Sequence, residues 1–240
     1  MRIVTVAFDY SGADMYSRLL RVYEYSVRQH MPDATFEVVR IKAPDGENNR
    51  QRSFVSNTWK LREWVRVLYE ADPADEIVFT DCDMMAIGDV SDAFGYDFDV
   101  AYTRRRAKLP LNGGVVFARP TDKAIAFFKL WDEWNDRFYH DPVTHRPWRM
   151  TYGGMNQAAL GKILCEVDYD ATVIALPCEI YNAIDSDWGD LTDDCRMIHC
   201  KSNLRRSIFG RTPNAKLRKF SDETMALAQQ WHALEREAMQ

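Results

Sequence analysis

The segment that decides the fold is Glu76-Ile77-Val78-Phe79-Thr80-Asp81-Cys82-Asp83. Its apolar and β-branched residues have the length and composition of a short buried strand, and two carboxylates follow directly. Because residues two apart on an extended chain point to the same side, Asp81 and Asp83 can share one hard cation through oxygen ligands. The carboxyl end of a central strand is also where open α/β sheets place ligands. A polar turn after a strand often contains Asp as well, so the pair alone leaves both interpretations open.

Predicted strands and helices alternate on both sides of this segment. The strands are expected at residues 3–8, 35–41, 76–80, 98–103, 111–118, 172–176 and 196–199. The helices are expected at 14–30, from 57 or 58 to 70, and at 120–139, 156–164 and 221–239, with loops at 43–52 and 140–152. This alternation predicts one α/β domain over residues 1–240, with a central sheet between helices.

Composition limits the classes of protein to consider. The chain has 240 residues and a net charge of −5, which argues against nucleic-acid binding by the whole surface. Five scattered cysteines without a Cys-x-x-Cys pair favour reduced thiols and a cytoplasmic setting. We find no apolar run of membrane-spanning length and no signal-peptide pattern.

His199 is a candidate third metal ligand, since it follows the last predicted strand. An imidazole beside two carboxylates suits Mn2+ better than Mg2+. Lys201 lies two residues further on and can reach a phosphate oxygen. A lone His is more often structural than metal-bound, so spacing alone leaves this assignment open.

The order of these motifs resembles that of GT-A glycosyltransferases of family eight, the glycogenin and lipopolysaccharide galactosyltransferase group. Residues 6–10 resemble the first strand that receives the nucleoside base, and Lys60 resembles a lysine near the phosphates. Residues 77–86 resemble the acidic metal-binding element, and residues 112–116 resemble the segment that contacts the donor sugar. Residues 176–182, and His199 with Lys201, resemble the segments that complete the site.

The resemblance implies a fold, a reaction and a set of site residues. The fold would be GT-A, with a mixed, mostly parallel sheet flanked by helices. The reaction would be transfer of a sugar, with retention, from a nucleotide-diphosphate sugar (UDP by preference) to a glycan, lipid-linked or other acceptor. The metal would be Mn2+, with Mg2+ as the alternative, on Asp81, Asp83 and His199. The donor would contact Ala7, Asp9, Tyr10, Lys60, Asp81, Cys82, Asn112, Gly113, Gly114 and Lys201.

One departure from the family pattern limits the mechanism. The family has Asp-Gln at the sugar-binding helix, where this chain has Asn156-Gln157. Because Asn is neither a nucleophile nor an ion stabiliser, a covalent intermediate at this position is disfavoured and front-side transfer is retained. Asn156 and Gln157 are the candidate catalytic residues, and residues 141–150 are a candidate lid.

Two rival functions share parts of the pattern. A haloacid-dehalogenase-type phosphatase also needs Asp-x-Asp after a strand, and Gly189-Asp190-Leu191-Thr192-Asp193-Asp194 fits its second acidic element. No apolar strand precedes that element, however.

A non-enzymatic module would bind nucleic acid or anionic lipid through Arg104-Arg105-Arg106 and residues 201–219. Residues 201–219 contain seven Lys or Arg and no acid. Peripheral membrane contact through 201–219 is part of this expectation, whereas a solvated rim or a cradle for the donor diphosphate is the alternative.

Overall fold

The computed structural model describes residues 1–9, 14–42, 49–106, 109–210 and 220–240. The strands are β1 (Arg2–Asp9), β2 (Thr35–Lys42), β3 (Ile77–Thr80), β4 (Met84–Ala86), β5 (Val100–Arg104), β6 (Leu111–Ala118), β7 (Val173–Pro177) and β8 (Met197–His199). The helices are α1 (Asp14–His30), α2 (Asn49–Glu70), α3 (Asp122–His140), α4 (Pro142–Tyr152), α5 (Asn156–Glu166), α6 (Cys178–Tyr181), α7 (Ser202–Phe209) and α8 (Asp222–Glu237).

A six-stranded sheet in the order β2-β1-β3-β6-β5-β7 forms the centre of the fold. Its pairings are parallel for β1 with β2, β1 with β3 and β5 with β7, and antiparallel where β6 meets β3 and β5. Only β6 therefore runs against the other five, so that β1, β3, β5 and β7 all end at one edge. The structure confirms the predicted mixed, mostly parallel sheet flanked by helices.

A second, two-stranded sheet brings the metal-ligand candidates together. β4 pairs with β8 in antiparallel register, with Met84 opposite His199. The backbone N–H of Cys200 also donates to the carbonyl of Asp83 at 2.7 Å. Because β4 starts directly after Asp83 and β8 ends at His199, this short ladder sets the imidazole beside the acidic pair.

Helices cover both faces of the central sheet. On one face, α2, α3 and α5 bury a core that includes Trp64, Phe79 and Trp131. On the other, α1 contributes Tyr23 and Val27 to a second cluster. A third cluster joins α7 and α8 to α1. No helix in the described part of the chain is long and apolar enough to cross a membrane.

The predicted start of α2 was wrong by eight residues, because the helix begins at Asn49. Asn57 and Thr58, predicted as N-caps, instead bond carbonyls one turn back: Asn57 Nδ2 donates to Ser53 O at 2.8 Å and Thr58 Oγ1 to Phe54 O at 3.0 Å. Ser, Thr and Asn side chains can make such bonds inside a helix as well as at its start.

The predicted loop at 140–152 was also wrong, since these residues form α4. Pro142 stands in the first turn, where its missing N–H costs nothing. Asp141 caps the helix by accepting bonds from the N–H groups of Val143 and Thr144, both at 3.1 Å. The candidate lid is therefore a capped helix rather than an irregular loop.

Candidate active site

Asp81, Asp83 and His199 form a cluster at the carboxyl edge of the sheet. Each offers one ligand atom, and the three atoms lie within 4.8 Å of one another. His199 Nε2 is 3.6 Å from Asp81 Oδ2 and 3.3 Å from Asp83 Oδ1. Two carboxylate oxygens and an imidazole nitrogen suit a divalent transition metal such as Mn2+. The residues present therefore fit the metal that the resemblance implies.

The outer oxygens of the two carboxylates are held by cations. Lys60 Nζ donates to Asp81 Oδ1 at 2.6 Å, and the guanidinium of Arg205 pairs with Asp83 Oδ2. Only Asp81 Oδ2 and Asp83 Oδ1 are left facing His199. Lys60 and Arg205 thus orient the carboxylates and offset their mutual repulsion.

Asn182 fixes the tautomer of His199. Asn182 Nδ2 donates to Thr103 Oγ1 at 2.8 Å and to the Asn112 carbonyl at 3.4 Å, so the amide oxygen faces the imidazole. Asn182 Oδ1 lies 3.0 Å from His199 Nδ1, which must be the protonated nitrogen. The lone pair of Nε2 then points at the carboxylates, as metal binding requires.

Gly114 provides the space for this arrangement. A Cβ on Gly114 would lie 2.7 Å from His199 Cε1, 2.8 Å from His199 Nδ1 and 3.2 Å from Asn182 Oδ1. Real Cβ atoms essentially never approach other atoms below 3.0 Å. A Cβ on Gly113 would meet only Gln157 Cγ, at an ordinary 3.5 Å. The two glycines therefore have different neighbours: Gly114 faces His199, and Gly113 faces Gln157.

Burial and charge set the protonation states of the cluster. Burial lowers the pKa of His199 well below its usual value, so the ring is neutral near pH 7. Burial raises the pKa of Asp81, but the charge and the hydrogen bond of Lys60 outweigh it and lower that pKa. Burial, followed by the nearby charge of Arg105, lowers the pKa of Lys201 to about 8. The cluster therefore presents the ionised Asp81 carboxylate and a neutral imidazole beside Asp83.

Two clefts flank the acidic segment. One, of about 390 Å³, is lined by Phe8, Tyr16, Arg52, Ser53, Ser56, Asn57 and Cys82. The other, of about 90 Å³, is lined by Asn57, Lys60, Asp81, Gly113, Gly154, Met155, Asn156 and Gln157. Cys82 faces the larger cleft and Asp81 the smaller, so the acidic segment lies between the two.

Asn156 and Gln157 line the smaller cleft and are held differently. Asn156 Nδ2 donates to the Asn57 carbonyl at 3.2 Å, while its buried Oδ1 accepts no bond from the described residues. Gln157 Nε2 donates to the carbonyls of Leu111 and Tyr152 at 2.9 and 2.7 Å. Its Oε1 accepts from the Gly113 N–H at 3.3 Å. Gln157 is a fixed wall of the cleft, and Asn156 carries an acceptor that a bound hydroxyl would satisfy.

Of the remaining predicted donor-binding residues, one lies near the larger cleft, one faces neither cleft and two are not fully described. Ala7 is buried in β1 at the strand end nearest the larger cleft. Asn112 is buried, and its side chain bonds Cys178 Sγ at 3.6 Å and the Gly114 N–H at 3.3 Å instead of facing either cleft. Asp9 ends β1 but its side chain, like the whole of Tyr10, lies outside the described residues.

Several site residues were not predicted from the sequence. Arg52, Ser53 and Ser56 lie on the early turns of α2, ahead of the helix start predicted at residue 57 or 58. Asn182 fell within a segment compared with the family, but its bond to His199 carried no sequence signal. Arg205 lies 122 residues from Asp83, in a basic stretch whose expected roles were a nucleic-acid or lipid surface, a solvated rim or a cradle for the donor diphosphate.

Comparison with known proteins gives the family. The model for nucleotide-diphospho-sugar transferases matches residues 2–204. The chain belongs to this family of nucleotide-diphospho-sugar transferases. The predicted glycosyltransferase assignment is therefore confirmed. No curated protein sequence matches the chain.

Solved glycosyltransferases share the fold at low sequence identity. The galactosyltransferase LgtC, solved in complex with donor and acceptor sugar analogs, aligns with a TM-score of 0.55 at 14% identity, over 99% of this chain and 96% of its own. The glycosyltransferase GlyE of Streptococcus pneumoniae TIGR4 gives 0.60 at 14%, over 98% of this chain and 63% of its own. A glycosyltransferase involved in glycosylation of the major capsid of PBCV-1 gives 0.57 at 14%, over 86% and 97%. These likenesses confirm the GT-A fold related to family eight.

The family assignment excludes the phosphatase interpretation, and the arrangement of the candidate site also argues against a phosphatase. Among the described side chains, the metal-ligand cluster includes neither Asp193 nor Asp194. The Asp193 carbonyl instead accepts a bond from Arg196 at 3.1 Å.

Proposed function

We propose that this glycosyltransferase uses Mn2+ to bind a UDP-sugar and transfers the sugar, with retention, to a glycan or other acceptor. The observation that carries the proposal is the position of the Asp81–Asp83–His199 cluster between two clefts of unequal size. A nucleotide-sugar has the same three parts: a nucleoside, a diphosphate and a sugar. The larger cleft takes the nucleoside, the cluster the diphosphate and the smaller cleft the sugar.

The nucleoside cleft offers aromatic and polar contacts. Phe8 and Tyr16 provide ring surfaces for the base, and Ser53, Ser56 and Asn57 provide polar groups for the ribose. We also assign Ala7, Asp9 and Tyr10 to this subsite, because residues 6–10 resemble the first-strand segment that receives the nucleoside base. UDP is preferred over other nucleotides by the family resemblance.

The diphosphate subsite combines the metal ligands with two lysines. When bound, Mn2+ supplies Lewis-acid stabilisation of the charge that develops on the leaving diphosphate. Lys60 is buried beside Asp81, over the ring of Trp64 at 4.6 Å, and its charge lies at the boundary between cluster and sugar cleft. Lys201, near Asp81, adds a second cation for phosphate oxygens.

The sugar subsite supports front-side transfer. Asn156 offers its buried amide oxygen to a sugar hydroxyl, and Gly113 allows the sugar to approach the backbone of β6. Gln157 holds the wall of the cleft through its three backbone bonds. No carboxylate other than Asp81 is among the described residues that line this cleft. Transfer from the front face, in which the leaving diphosphate assists acceptor deprotonation, needs no additional protein carboxylate.

We extend two further expectations to this function. Residues 1–240 form one catalytic domain, since the elements from β1 to α8 contact one another through the three core clusters. The location is cytoplasmic, because the five cysteines are free thiols, three of them buried.

A donor panel tests the proposal. UDP-, GDP- and CMP-linked sugars are incubated with the protein and Mn2+, and nucleotide release is measured with and without EDTA. We expect release from one or more UDP-sugars that EDTA abolishes, with the released sugar first appearing as the donor's anomer by NMR. Release from GDP- or CMP-sugars alone would contradict the UDP assignment, and the opposite anomer would contradict retention.

A further inference from the structure

A third cleft opens at the same edge of the sheet, outside the donor site. It has a volume of about 490 Å³ and is lined by Arg104, Arg105, Arg106, Pro110, Ala175, Leu176, Pro177 and Glu179. It lies where β5 and β7 end, with Arg104 paired to Pro177 in the last register position. Because β3 and β5 run in the same direction, this end of β5 is on the edge that carries Asp81.

A short chain of hydrogen bonds places this cleft beside the metal cluster. Thr103, next to Arg104 in β5, accepts a bond from Asn182 Nδ2 at 2.8 Å, and Asn182 Oδ1 lies 3.0 Å from His199 Nδ1. A group bound at Arg105 is therefore a neighbour of the diphosphate subsite, as an acceptor must be.

The cleft carries positive charge that the described protein does not neutralise. Arg106 pairs with Glu179 at 2.9 Å. Within the described chain, no carboxylate forms an ion pair with Arg104 or Arg105. The Nε of Arg105 is buried and finds no hydrogen-bond acceptor among the described groups. A buried guanidinium donor without a partner is costly, and an anion bound in the cleft would offset the charge of this guanidinium.

The charges of the donor site do not supply that anion. Lys60 is paired with Asp81 and Arg205 with Asp83. A divalent cation and the two negative charges of a sugar nucleotide cancel each other. Lys201 already lies in the fields of Asp81 and Asp185. Of the three arginines that line this cleft, Arg104 and Arg105 have no carboxylate partner among the described residues.

We propose that the acceptor is a phosphorylated glycan, with its phosphate on Arg104 and Arg105 and its sugar in the cleft against Leu176 and Pro177. A phosphomonoester carries about −1.5 to −2 charges near pH 7, which matches two guanidiniums. Guanidinium groups also bind phosphate oxygens in pairs. A cleft of this size falls within the range that holds small ligands. This inference names the substrate class of the proposed function and rests on it.

The test uses the full chain saturated with UDP and Mn2+, so that the donor site is filled. Calorimetry then measures the binding of glucose 6-phosphate, glucuronic acid and glucose. We expect glucose 6-phosphate to bind at least about ten-fold more tightly than the other two, one bidentate charged contact being worth more than about 1.4 kcal/mol. Equal binding of glucuronic acid, or no binding of glucose 6-phosphate, overturns the proposal.

Substitutions of the arginines test whether Arg104 and Arg105 bind the phosphate. Arg104→Gln with Arg105→Gln should weaken glucose 6-phosphate about ten-fold or more, and the exposed single variant Arg104→Gln several-fold. Arg66→Gln, which removes an exposed arginine paired with Glu63 and Glu70 on α2, is the matched control and should leave this affinity unchanged. An equal loss of UDP affinity in the double variant would assign these arginines to the donor and overturn the proposal.

Two outcomes distinguish a failure of this inference from a failure of the proposed function on which it rests. If UDP fails to bind with Mn2+, the proposed function fails and the acceptor assignment falls with it. If UDP binds but glucose 6-phosphate does not, only the acceptor assignment falls. Binding of phosphatidylcholine vesicles that contain phosphatidic acid, without binding of glucose 6-phosphate, would indicate a membrane surface and also overturn it.

Discussion

Asn182 Oδ1 accepts a hydrogen bond from His199 Nδ1 over 3.0 Å, and this bond turns the unprotonated Nε2 toward Asp81 and Asp83. The amide is itself fixed by Thr103 and by the Asn112 carbonyl. A chain of buried polar contacts therefore runs from β5 and β6 to the metal ligand. It holds the ligand tautomer before any cation arrives, which lowers the cost of binding one.

The first prediction concerns this contact. Asn182→Ala removes the acceptor that selects the His199 tautomer, so Mn2+ affinity should fall about ten- to hundred-fold. Calorimetric titration with Mn2+ measures the change. Asn135→Ala is the control: Asn135 is an equally buried amide, but it donates to Thr58 at 2.8 Å, away from the cluster. Both variants should lose stability, and only Asn182→Ala should lose Mn2+. Equal Mn2+ affinity in the two variants would refute the role of Asn182.

The second prediction separates the adjacent glycines. Gly114→Ala places a Cβ 2.7 Å from His199 Cε1 and must displace the ring, so Mn2+ binding should weaken strongly. Gly113→Ala meets only Gln157 at 3.5 Å and should retain Mn2+ binding in the absence of nucleotide. Electron paramagnetic resonance of free Mn2+ measures both. Retained Mn2+ binding in Gly114→Ala would show that the contact with His199 does not matter.

The third prediction concerns the cap of α4. Asp141→Ala loses the bonds from the Val143 and Thr144 N–H groups and from Thr144 Oγ1, the last at 2.6 Å. The free energy of unfolding should fall measurably, as followed by urea titration. Asp141→Asn keeps a side-chain acceptor and should lose much less. Identical losses in the two variants would argue against a capped helix at this position.

The fourth prediction is a pH dependence of stability. Arg18 forms two bonds to Glu235, at 2.6 and 2.8 Å, which join α1 to α8. The Arg18 hydrogen bond lowers the pKa of Glu235 below its usual range. A carboxyl with a lowered folded-state pKa stabilises the fold above its unfolded pKa, and this stabilisation is lost as pH falls through the folded value.

Glu235→Gln tests this sign. Its free energy of unfolding should be about 1 kcal/mol below that of the unaltered protein at pH 7, and the difference should shrink below about pH 4.5. Glu24→Gln removes an exposed carboxylate that pairs with Arg28 and should show a smaller difference at pH 7. A difference for Glu235→Gln that stays constant between pH 7 and pH 3 would contradict the assignment.

Much of the fold could be predicted from the sequence because it rests on local patterns. The apolar run before Asp81 predicted β3, and its position predicted the ligand edge of the sheet. The early turns of α2 could not be predicted in this way, since residues 49–53 are entirely polar and the helix there carries no apolar stripe. α4 was missed because Pro142 and Pro147 suggested a loop, whereas the first fits a helix start and the second is tolerated.

The candidate site likewise has a part that local patterns predict and a part that they do not. Residue type and spacing made Asp81, Asp83 and His199 candidates, the family resemblance named them together as metal ligands, and the structure places them together. Arg205, Asn182 and the clearance at Gly114 depend on contacts between distant segments, so no local pattern encodes them. Their roles follow from how β4 pairs with β8 and how α7 packs behind them.

The most direct test of the central claim is calorimetry of UDP binding, with Mn2+ and with EDTA, on the unaltered protein and on Asp83→Asn. Asp83 is buried, and its Oδ1 lies 3.3 Å from His199 Nε2. We predict that UDP binds the unaltered protein only when Mn2+ is present, and that Asp83→Asn weakens this binding at least about ten-fold. UDP binding of equal strength in EDTA, or unchanged Mn2+-dependent binding in Asp83→Asn, would contradict the account.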